Sequence, residues 1–179
     1  ATHLGLAVAR QEIELVFGGV NAGLMGQIAR TSLEEGGRVI GVITRELEEQ
    51  AIAFAGLQEL LIVEDMQQRK KLMCDLSDGF IALPGGLGTI DEFFEVLTWA
   101  QLGIHRKPCG LLNVRQYFDK LMGLLDHAVE EQFMGAAHRA MILIDENPEA
   151  LLAKLEAYEI PLGVDKIVWI QRMNDCLLE

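Results

Sequence analysis

The feature that constrains the fold most is a regular alternation of short apolar segments with longer amphipathic ones. The short segments are mostly apolar, as strands are when helices cover both faces of a parallel sheet. Strands are predicted over 13–17, 38–43, 57–63, 79–83, 109–112 and 140–144. Helices are predicted over 4–10, 24–35, 64–76, 89–102, 114–132 and 148–158. The alternation therefore predicts an α/β protein.

The chain of 179 residues has the length of one domain, because domains commonly hold about 150 residues. We expect a Rossmann-like parallel sheet with helices on both faces, forming a single domain over 1–158. The tail, 159–179, contains apolar residues such as Trp169 and is expected to pack on the domain or on a partner subunit. Residues 44–56 follow neither the helical nor the strand period, so no element is predicted there.

Charge and composition exclude several classes of function. The net charge is −12, and such a surface repels a phosphodiester backbone, so we expect no nucleic-acid partner. No apolar run approaches the roughly 18 residues of a membrane helix, so no membrane partner is expected. Cys74, Cys109 and Cys176 are far apart in sequence, which is typical of reduced thiols in a cytoplasmic protein. The four histidines lack metal-ligand spacing, and no metal site is predicted.

A glycine-rich segment lies where the fourth predicted strand gives way to a helix. Residues 83–92 read LPGGLGTIDE, and a loop at the carboxyl end of a parallel strand is a common ligand site. Gly85, Gly86 and Gly88 allow close approach of the backbone, and the N–H groups at the helix start attract an anion. The segment is not a Walker A loop, because it has no Gly-Lys-Ser/Thr sequence. It is not a dinucleotide fingerprint either, since Asp91 stands where the third glycine should be. It predicts a phosphate clamp and disfavours an NAD-dependent enzyme.

A purely structural interpretation of the same segment competes with this one. Thr89 and Glu92 have the spacing of a capping box, in which both side chains bond to helix N–H groups. A second glycine loop, containing Gly18, Gly19 and Gly23, follows another predicted strand and precedes another helix. Two such loops at strand ends favour a ligand that carries a phosphate.

Arg69 lies on a predicted helix among apolar neighbours. Residues three and four apart share a helix face, which groups Arg69 with Met66, Leu72 and Met73. An arginine on such a face needs an anionic partner if it is buried. The alternative is a solvated Arg-Lys-Lys run in which the guanidinium reaches out to water. Together with a phosphate loop, Arg69 becomes a candidate substrate ligand.

Two of these segments together resemble a known family. Residues 66–73 read MQQRKKLM and residues 84–92 read PGGLGTIDE. They resemble the MxxRKxxM and PGGxGTxxE motifs of the Lonely Guy (LOG) proteins, which are cytokinin riboside 5'-monophosphate phosphoribohydrolases. Residues 23–26, GLMG, also match, and the likeness covers roughly 4–158. Members have often been labelled lysine decarboxylases, but the sequence shows no signature of a lysine that holds pyridoxal phosphate.

The resemblance implies an activity and a set of site residues. The reaction is hydrolysis of the N-glycosidic bond of a nucleoside 5'-monophosphate to free base and ribose 5-phosphate, without a cofactor. Arg69 and Glu92 would be the catalytic pair, with the carboxylate stabilising an oxocarbenium-like ribose. The residues implied in substrate binding are Lys70, Gly85, Gly86, Leu87, Gly88, Thr89, Asp91 and Thr98. Family members form homodimers with sites at the subunit interface, and the family's first strand is expected before Ala1.

The alternative from another class is a nucleotide-binding or carrier protein that performs no chemistry. A protein that only binds an anion needs no carboxylate beside it, so the presence of both Arg69 and Glu92 favours the enzyme. The base, adenine or adenine with an N6-isoprenoid group, is left open because apolar base pockets discriminate weakly in sequence.

Overall fold

In the computed structural model, which describes residues 1–50 and 53–164, the chain divides after Asp78 into two units. The first unit is Ala1–Asp78 and the second is Gly79–Glu179. Each unit contains a three-stranded sheet whose paired strands are all parallel. Residues 165–179, including Trp169, lie outside the described residues, so the packing of the tail stays a prediction.

The first unit has its strands in the order β1-β2-β3. The strands are β1 Leu15–Phe17, β2 Val39–Thr44 and β3 Glu59–Val63. The helices are α1 Thr2–Arg10, α2 Gly23–Glu34, α3 Arg45–Glu49 and α4 Met66–Leu76. The central strand β2 is buried along its whole length, as the apolar run over 39–43 predicts. Asp65 caps α4, because its carboxylate accepts the N–H of Gln68 at 2.8 Å.

The second unit has its strands in the order β4-β5-β6. The strands are β4 Phe80–Ala82, β5 Cys109–Leu112 and β6 Ile142–Asp145. The helices are α5 Leu87–Gln101, α6 Asp119–Glu130, α7 Ala136–Ala140 and α8 Pro148–Glu156, with a 3-10 turn over Val114–Gln116. One face of α5, carrying Phe93, Val96 and Leu97, is buried in a core with Leu111 and Ile142. This packing fixes the start of α5, and with it the glycine loop, relative to the sheet.

The predicted α/β class with parallel strands is confirmed, and the elements differ from prediction in three places. The helix α3 occupies Arg45–Glu49, in a segment for which no element is predicted. The single helix predicted over 114–132 is wrong, since a 3-10 turn and α6 share that segment. Arg115 and Gln116 adopt φ of 54° and 59°, which an α-helix does not accommodate. The strand predicted over 140–144 begins only at Ile142, because the short helix α7 occupies the residues before it.

No helix in the described part of the chain is both long enough and apolar enough to cross a membrane.

Candidate functional site

The glycine loop joins β4 to α5 in the second unit. Gly86 is the N-cap residue of α5, with φ −89° and ψ −153°, and the helix begins at Leu87. Thr89 therefore lies inside the first turn and is not the residue that precedes it. A capping box needs a hydroxyl side chain at the N-cap position, and Gly86 has no side chain, so the capping-box interpretation of Thr89 and Glu92 is wrong.

The three positions of this loop are glycine for different reasons. A Cβ on Gly85 would overlap the hydroxyl of Thr89 and lie 2.8 Å from the Cβ of Thr89, so internal packing requires glycine there. A Cβ on Gly86 or Gly88 would meet no described atom within 4 Å. Both residues are exposed, and neither has a positive φ. Glycine at these two positions leaves main-chain N–H groups accessible at a helix N-terminus, where an anion is stabilised.

The other predicted residues of α5 lie at different distances from the loop. Glu92 is half-buried and, four residues after Gly88, shares its side of the helix. Leu87 is 87% exposed at the first helical position, and Asp91 is also exposed. Thr98 is exposed and lies nine residues beyond Thr89, which is about 14 Å along a helix axis. The structure thus brings Glu92 close to the glycine loop and leaves Thr98 at the far end of the helix.

Tyr117 is a contact of this loop that the sequence reasoning missed. Its hydroxyl donates a 2.7 Å hydrogen bond to the carbonyl oxygen of Gly85, a residue 32 positions earlier in the chain. Tyr117 directly follows the 3-10 turn after β5, so two neighbouring strands supply the two partners. No spacing rule links the two positions, and only the order of the strands in the sheet brings them together.

His105 connects the end of α5 to the segment that leads into β5. One ring nitrogen, Nδ1, accepts the N–H of Lys107 at 3.1 Å, and Nε2 lies 2.9 Å from the carbonyl of Val96. These contacts require a neutral ring with the proton on Nε2, since Nδ1 is an acceptor and a carbonyl accepts from Nε2. Burial lowers the pKa of His105 from 6.5, in agreement with the neutral form.

Arg69 lies in the first unit and is only 5% exposed. Its Nε donates to the carbonyl of Val42 at 3.0 Å, and its Nη2 donates to the carbonyl of Gly18 at 3.2 Å. The interpretation of Arg69 as a solvated side chain is therefore wrong. The guanidinium is held inside the unit because main-chain oxygens of β2 and of the loop after β1 accept its hydrogen bonds. Lys70, the next residue of α4, is half-buried.

The second glycine loop is shaped around this arginine. A Cβ on Gly18 would overlap Nη2 of Arg69 and lie 2.9 Å from the sulfur of Met25. Gly19 has a φ of +71°, and Gly23, at the start of α2, has a φ of +52°. Left-handed backbone and the nearby guanidinium thus explain glycine at all three positions without a ligand. A phosphate contact for this loop stays a prediction.

The structure therefore assembles two local groups. Arg69 and Gly18 contact each other in the first unit, whereas Gly85, Thr89 and Tyr117 form one cluster in the second, with Glu92 one turn along α5. The pairing of Arg69 with Glu92 joins two units and stays a prediction. Within the described residues, no group of three or more His, Cys, Asp or Glu side chains is arranged to hold a metal ion.

Comparison with known proteins connects this arrangement to a family. A family model described as "Possible lysine decarboxylase" matches residues 25–155. The cytokinin riboside 5'-monophosphate phosphoribohydrolase of Rhodococcoides fascians is 46% identical over 158 residues, which cover 88% of this chain and 80% of that protein. The protein of that name called LOG7 in Arabidopsis thaliana is 43% identical over 171 residues, covering 94% of this chain and 79% of its own.

Solved structures agree at the level of the fold. The molybdenum cofactor binding protein from Rippkaea orientalis aligns with a TM-score of 0.65 at 21% identity and covers 87% of this chain and 83% of its own. The molybdenum cofactor carrier protein of Chlamydomonas reinhardtii aligns with a TM-score of 0.63 at 20% identity, covering 88% of this chain and 86% of that protein. At these identities the likeness supports the Rossmann-like α/β fold alone.

The extent of the sequence matches decides the family. The family model spans most of the chain, and the relatives are similar over nearly all of it. The two motifs that predicted the resemblance, at 66–73 and 84–92, both lie within the matched region. The chain belongs to the Lonely Guy (LOG) family of cytokinin riboside 5'-monophosphate phosphoribohydrolases.

Proposed function

We propose that this protein is an N-glycosidase that hydrolyses nucleoside 5'-monophosphates to free base and ribose 5-phosphate. The observation that carries the proposal is the position of Glu92. This carboxylate lies one turn beyond Gly88 in a helix whose N-terminus is a glycine loop, and it is not part of a capping box. The relatives named as phosphoribohydrolases, 43–48% identical to this chain, support the same reaction.

The glycine loop is proposed to hold the 5'-phosphate. Main-chain N–H groups in the first turn of α5 point out of the helix start, and the helix dipole adds a partial positive charge there. Gly86 and Gly88 have space in front of them for a phosphate to approach the backbone. Thr89 supplies a hydroxyl in the same turn, and Leu87 and Asp91 flank the loop.

Glu92 is proposed to act at the ribose. Its distance from Gly86, six residues along α5, is about 9 Å of helix rise and separates its charge from the phosphate. Departure of the base leaves positive charge on C1' and the ring oxygen of the ribose, and a nearby carboxylate stabilises that charge. The same carboxylate accepts a hydrogen bond from the attacking water, which orients the oxygen towards C1'.

Arg69 is proposed to position substrate and to contribute a fixed positive charge. An arginine does not release its proton at neutral pH, so it is a poor general acid. The hydrogen bonds of Arg69 to Gly18 and Val42 hold the guanidinium rigidly and shape the loop after β1. Lys70 and Thr98 are proposed as further substrate contacts by the resemblance of their motifs to the family's.

Substrate, assembly and location are proposed from separate features of the chain. Both AMP and cytokinin riboside monophosphates are proposed substrates, because they share the phosphate that the glycine loop would bind and the ribose that Glu92 would contact.

A homodimer is proposed because Leu102 and Ile104, after α5, are 52% and 64% exposed, and a second copy would cover them. Cys74, Cys109 and Cys176 are far apart in sequence, a spacing typical of reduced thiols, which supports a cytoplasmic location. The net charge of −12 disfavours nucleic acid as a partner.

The replacement of Glu92 by glutamine tests the proposal. Glu92→Gln keeps the shape of the side chain and removes its charge, so turnover of AMP and of isopentenyladenosine monophosphate should fall by about 100-fold or more. Free base is quantified by chromatography. Glu156→Gln, at an exposed position at the end of α8, is the matched control and should retain full turnover.

Two outcomes would contradict the proposal. A Glu92→Gln protein with most of its activity would show that the carboxylate does no chemistry. Wild-type protein that binds AMP without releasing adenine would identify a nucleotide-binding or carrier protein.

A further inference from the structure

A side-chain hydroxyl from a later segment of the chain contacts the glycine loop. Tyr117 Oη donates to the carbonyl oxygen of Gly85 at 2.7 Å. The ring of Tyr117 is 52% exposed, so the contact is made at the surface of the unit, beside the exposed residues Gly86 and Gly88. This hydroxyl has no part in the proposed reaction.

The contact fixes the orientation of one peptide group. In a trans peptide the C=O of one residue and the N–H of the next point in opposite directions. A hydrogen bond that holds the carbonyl of Gly85 towards Tyr117 therefore points the N–H of Gly86 away from Tyr117. Glycines on both sides of this peptide have little steric preference, so without such a bond the peptide could rotate readily.

The turn that presents Tyr117 is built at a conformational cost. Arg115 and Gln116 both adopt left-handed conformations, with φ of 54° and 59°, which non-glycine residues rarely do. The side chain of buried Asn113 stabilises the turn, because its Oδ1 accepts the N–H of Phe118 at 2.7 Å and its Nδ2 donates to Asp119 at 2.8 Å. Backbone strain of this kind persists where the surrounding contacts over-determine it, and it often occurs at functional sites.

We propose that Tyr117 is a positioning residue that orients the Gly85–Gly86 peptide for binding the substrate's phosphate. This inference rests on the proposed function only in taking the loop as a phosphate site. Tyr117 does not touch the reacting atoms. It holds the N–H of Gly86 in the direction from which a phosphate oxygen can accept its hydrogen bond. The loop is therefore preorganised before the ligand binds.

The test compares the two tyrosines of the chain. Tyr117→Phe removes the hydroxyl and retains the ring, which packs edge-on against Phe118 with centroids 5.0 Å apart. Tyr158→Phe removes a hydroxyl from a half-buried ring elsewhere in the same unit and is the matched control. Binding of ribose 5-phosphate and of adenine is measured by calorimetry for both variants and for wild-type protein, together with kcat/KM for AMP.

We expect Tyr117→Phe to weaken the binding only of ligands that carry a phosphate. Tyr117→Phe should weaken ribose 5-phosphate binding by about 5- to 10-fold, the effect of misorienting one charge-assisted hydrogen bond. The kcat/KM for AMP should fall by a similar factor. Binding of adenine, which has no phosphate, should be unchanged, and Tyr158→Phe should match wild-type protein in all three measurements. The melting temperature should change by only a few degrees, about the effect of one exposed hydrogen bond.

The outcomes separate this inference from the proposed function. Wild-type hydrolysis of AMP with unchanged ribose 5-phosphate binding in Tyr117→Phe would overturn the inference and leave the function standing. Equal losses for adenine and ribose 5-phosphate would show a general structural role and would also overturn it. A wild-type protein that binds ribose 5-phosphate without hydrolysing AMP would contradict the function, while a phosphate-specific loss in Tyr117→Phe would still support the inference. Wild-type protein that does not bind ribose 5-phosphate would overturn both.

Discussion

Replacing Gly18 by alanine should displace the guanidinium of Arg69. Gly18 does not have a positive φ, so alanine is compatible with its backbone conformation. The only obstacle is space, because the new Cβ would overlap Nη2 of Arg69 and lie 3.0 Å from its Cζ. The new Cβ would also lie 2.9 Å from the sulfur of Met25, which ends a flexible side chain and can move. The substitution therefore acts on Arg69 through contact and leaves the chemistry of the arginine unchanged.

The size of the effect follows from the contacts that Arg69 must give up. Removing the overlap requires the guanidinium to move by about 1 Å or more, and a displacement of that size can reduce catalysis by about 100-fold. The hydrogen bonds of Arg69 to Gly18 at 3.2 Å and to Val42 at 3.0 Å would both lengthen or break. Bonds made by a charged group contribute about 1.5–3 kcal/mol each, so the free energy of unfolding should fall by about 2–4 kcal/mol.

The assay measures kcat/KM for AMP and the melting temperature of the same samples, and a second glycine separates instability from the loss of Arg69. A Cβ on Gly5 would lie 2.9 Å from the carbonyl of Ile28 and from Cβ of Thr31, where α1 packs on α2. Gly5→Ala should therefore cost about 1–3 kcal/mol through overpacking. It does not touch Arg69, so its folded fraction should keep wild-type activity.

Gly18→Ala protein that stays as active as wild-type protein would refute this reasoning. It would show either that Arg69 moves without consequence or that it has no part in the reaction. Equal losses of activity in Gly18→Ala and Gly5→Ala would refute it as well, since the effect would then follow from reduced stability alone.

Two further predictions concern the second unit. Gly86→Ala should leave the melting temperature nearly unchanged, because its Cβ meets no described atom within 4 Å, but should lower kcat/KM for AMP by about tenfold or more by obstructing the phosphate; wild-type kinetics would argue against the phosphate loop. Burial lowers the pKa of His105 from 6.5, so the unfolded chain binds the proton first as the pH falls, and stability decreases below that pH. The drop in melting temperature between neutral and acidic buffer should be smaller in His105→Gln, and an equal drop would count against this assignment.

The periodicity of apolar residues predicted most of the secondary structure, because the strands are short, mostly apolar and flanked by helices. It failed at 114–132, where the amphipathic period continues across Arg115 and Gln116 although both have left-handed backbone. Nothing in their side chains marks that conformation, which is held by the buried amide of Asn113. A helix boundary fixed by such tertiary contacts is not accessible to periodicity.

The sequence pattern proposed residues for the candidate site, and their roles in catalysis and binding stay predictions. The apolar neighbours of Arg69 allowed a buried or a solvated side chain, and its 5% exposure decides for the buried one. The spacing of Thr89 and Glu92 allowed two interpretations, and the start of α5 at Leu87 decided between them. Tyr117 could not be found, because its contact with Gly85 depends on the neighbouring positions of β4 and β5 in the sheet.

The central claim is that the protein breaks the N-glycosidic bond only when the 5'-phosphate is held in the glycine loop. The most direct measurement incubates the protein with adenosine, AMP and ATP at equal concentration and quantifies adenine by chromatography. Charge-assisted hydrogen bonds to one phosphate predict that AMP is preferred over adenosine by roughly two to four decades in kcat/KM. ATP should be a poor substrate because the net charge of −12 opposes further phosphates. Adenine released from adenosine as fast as from AMP would contradict the account.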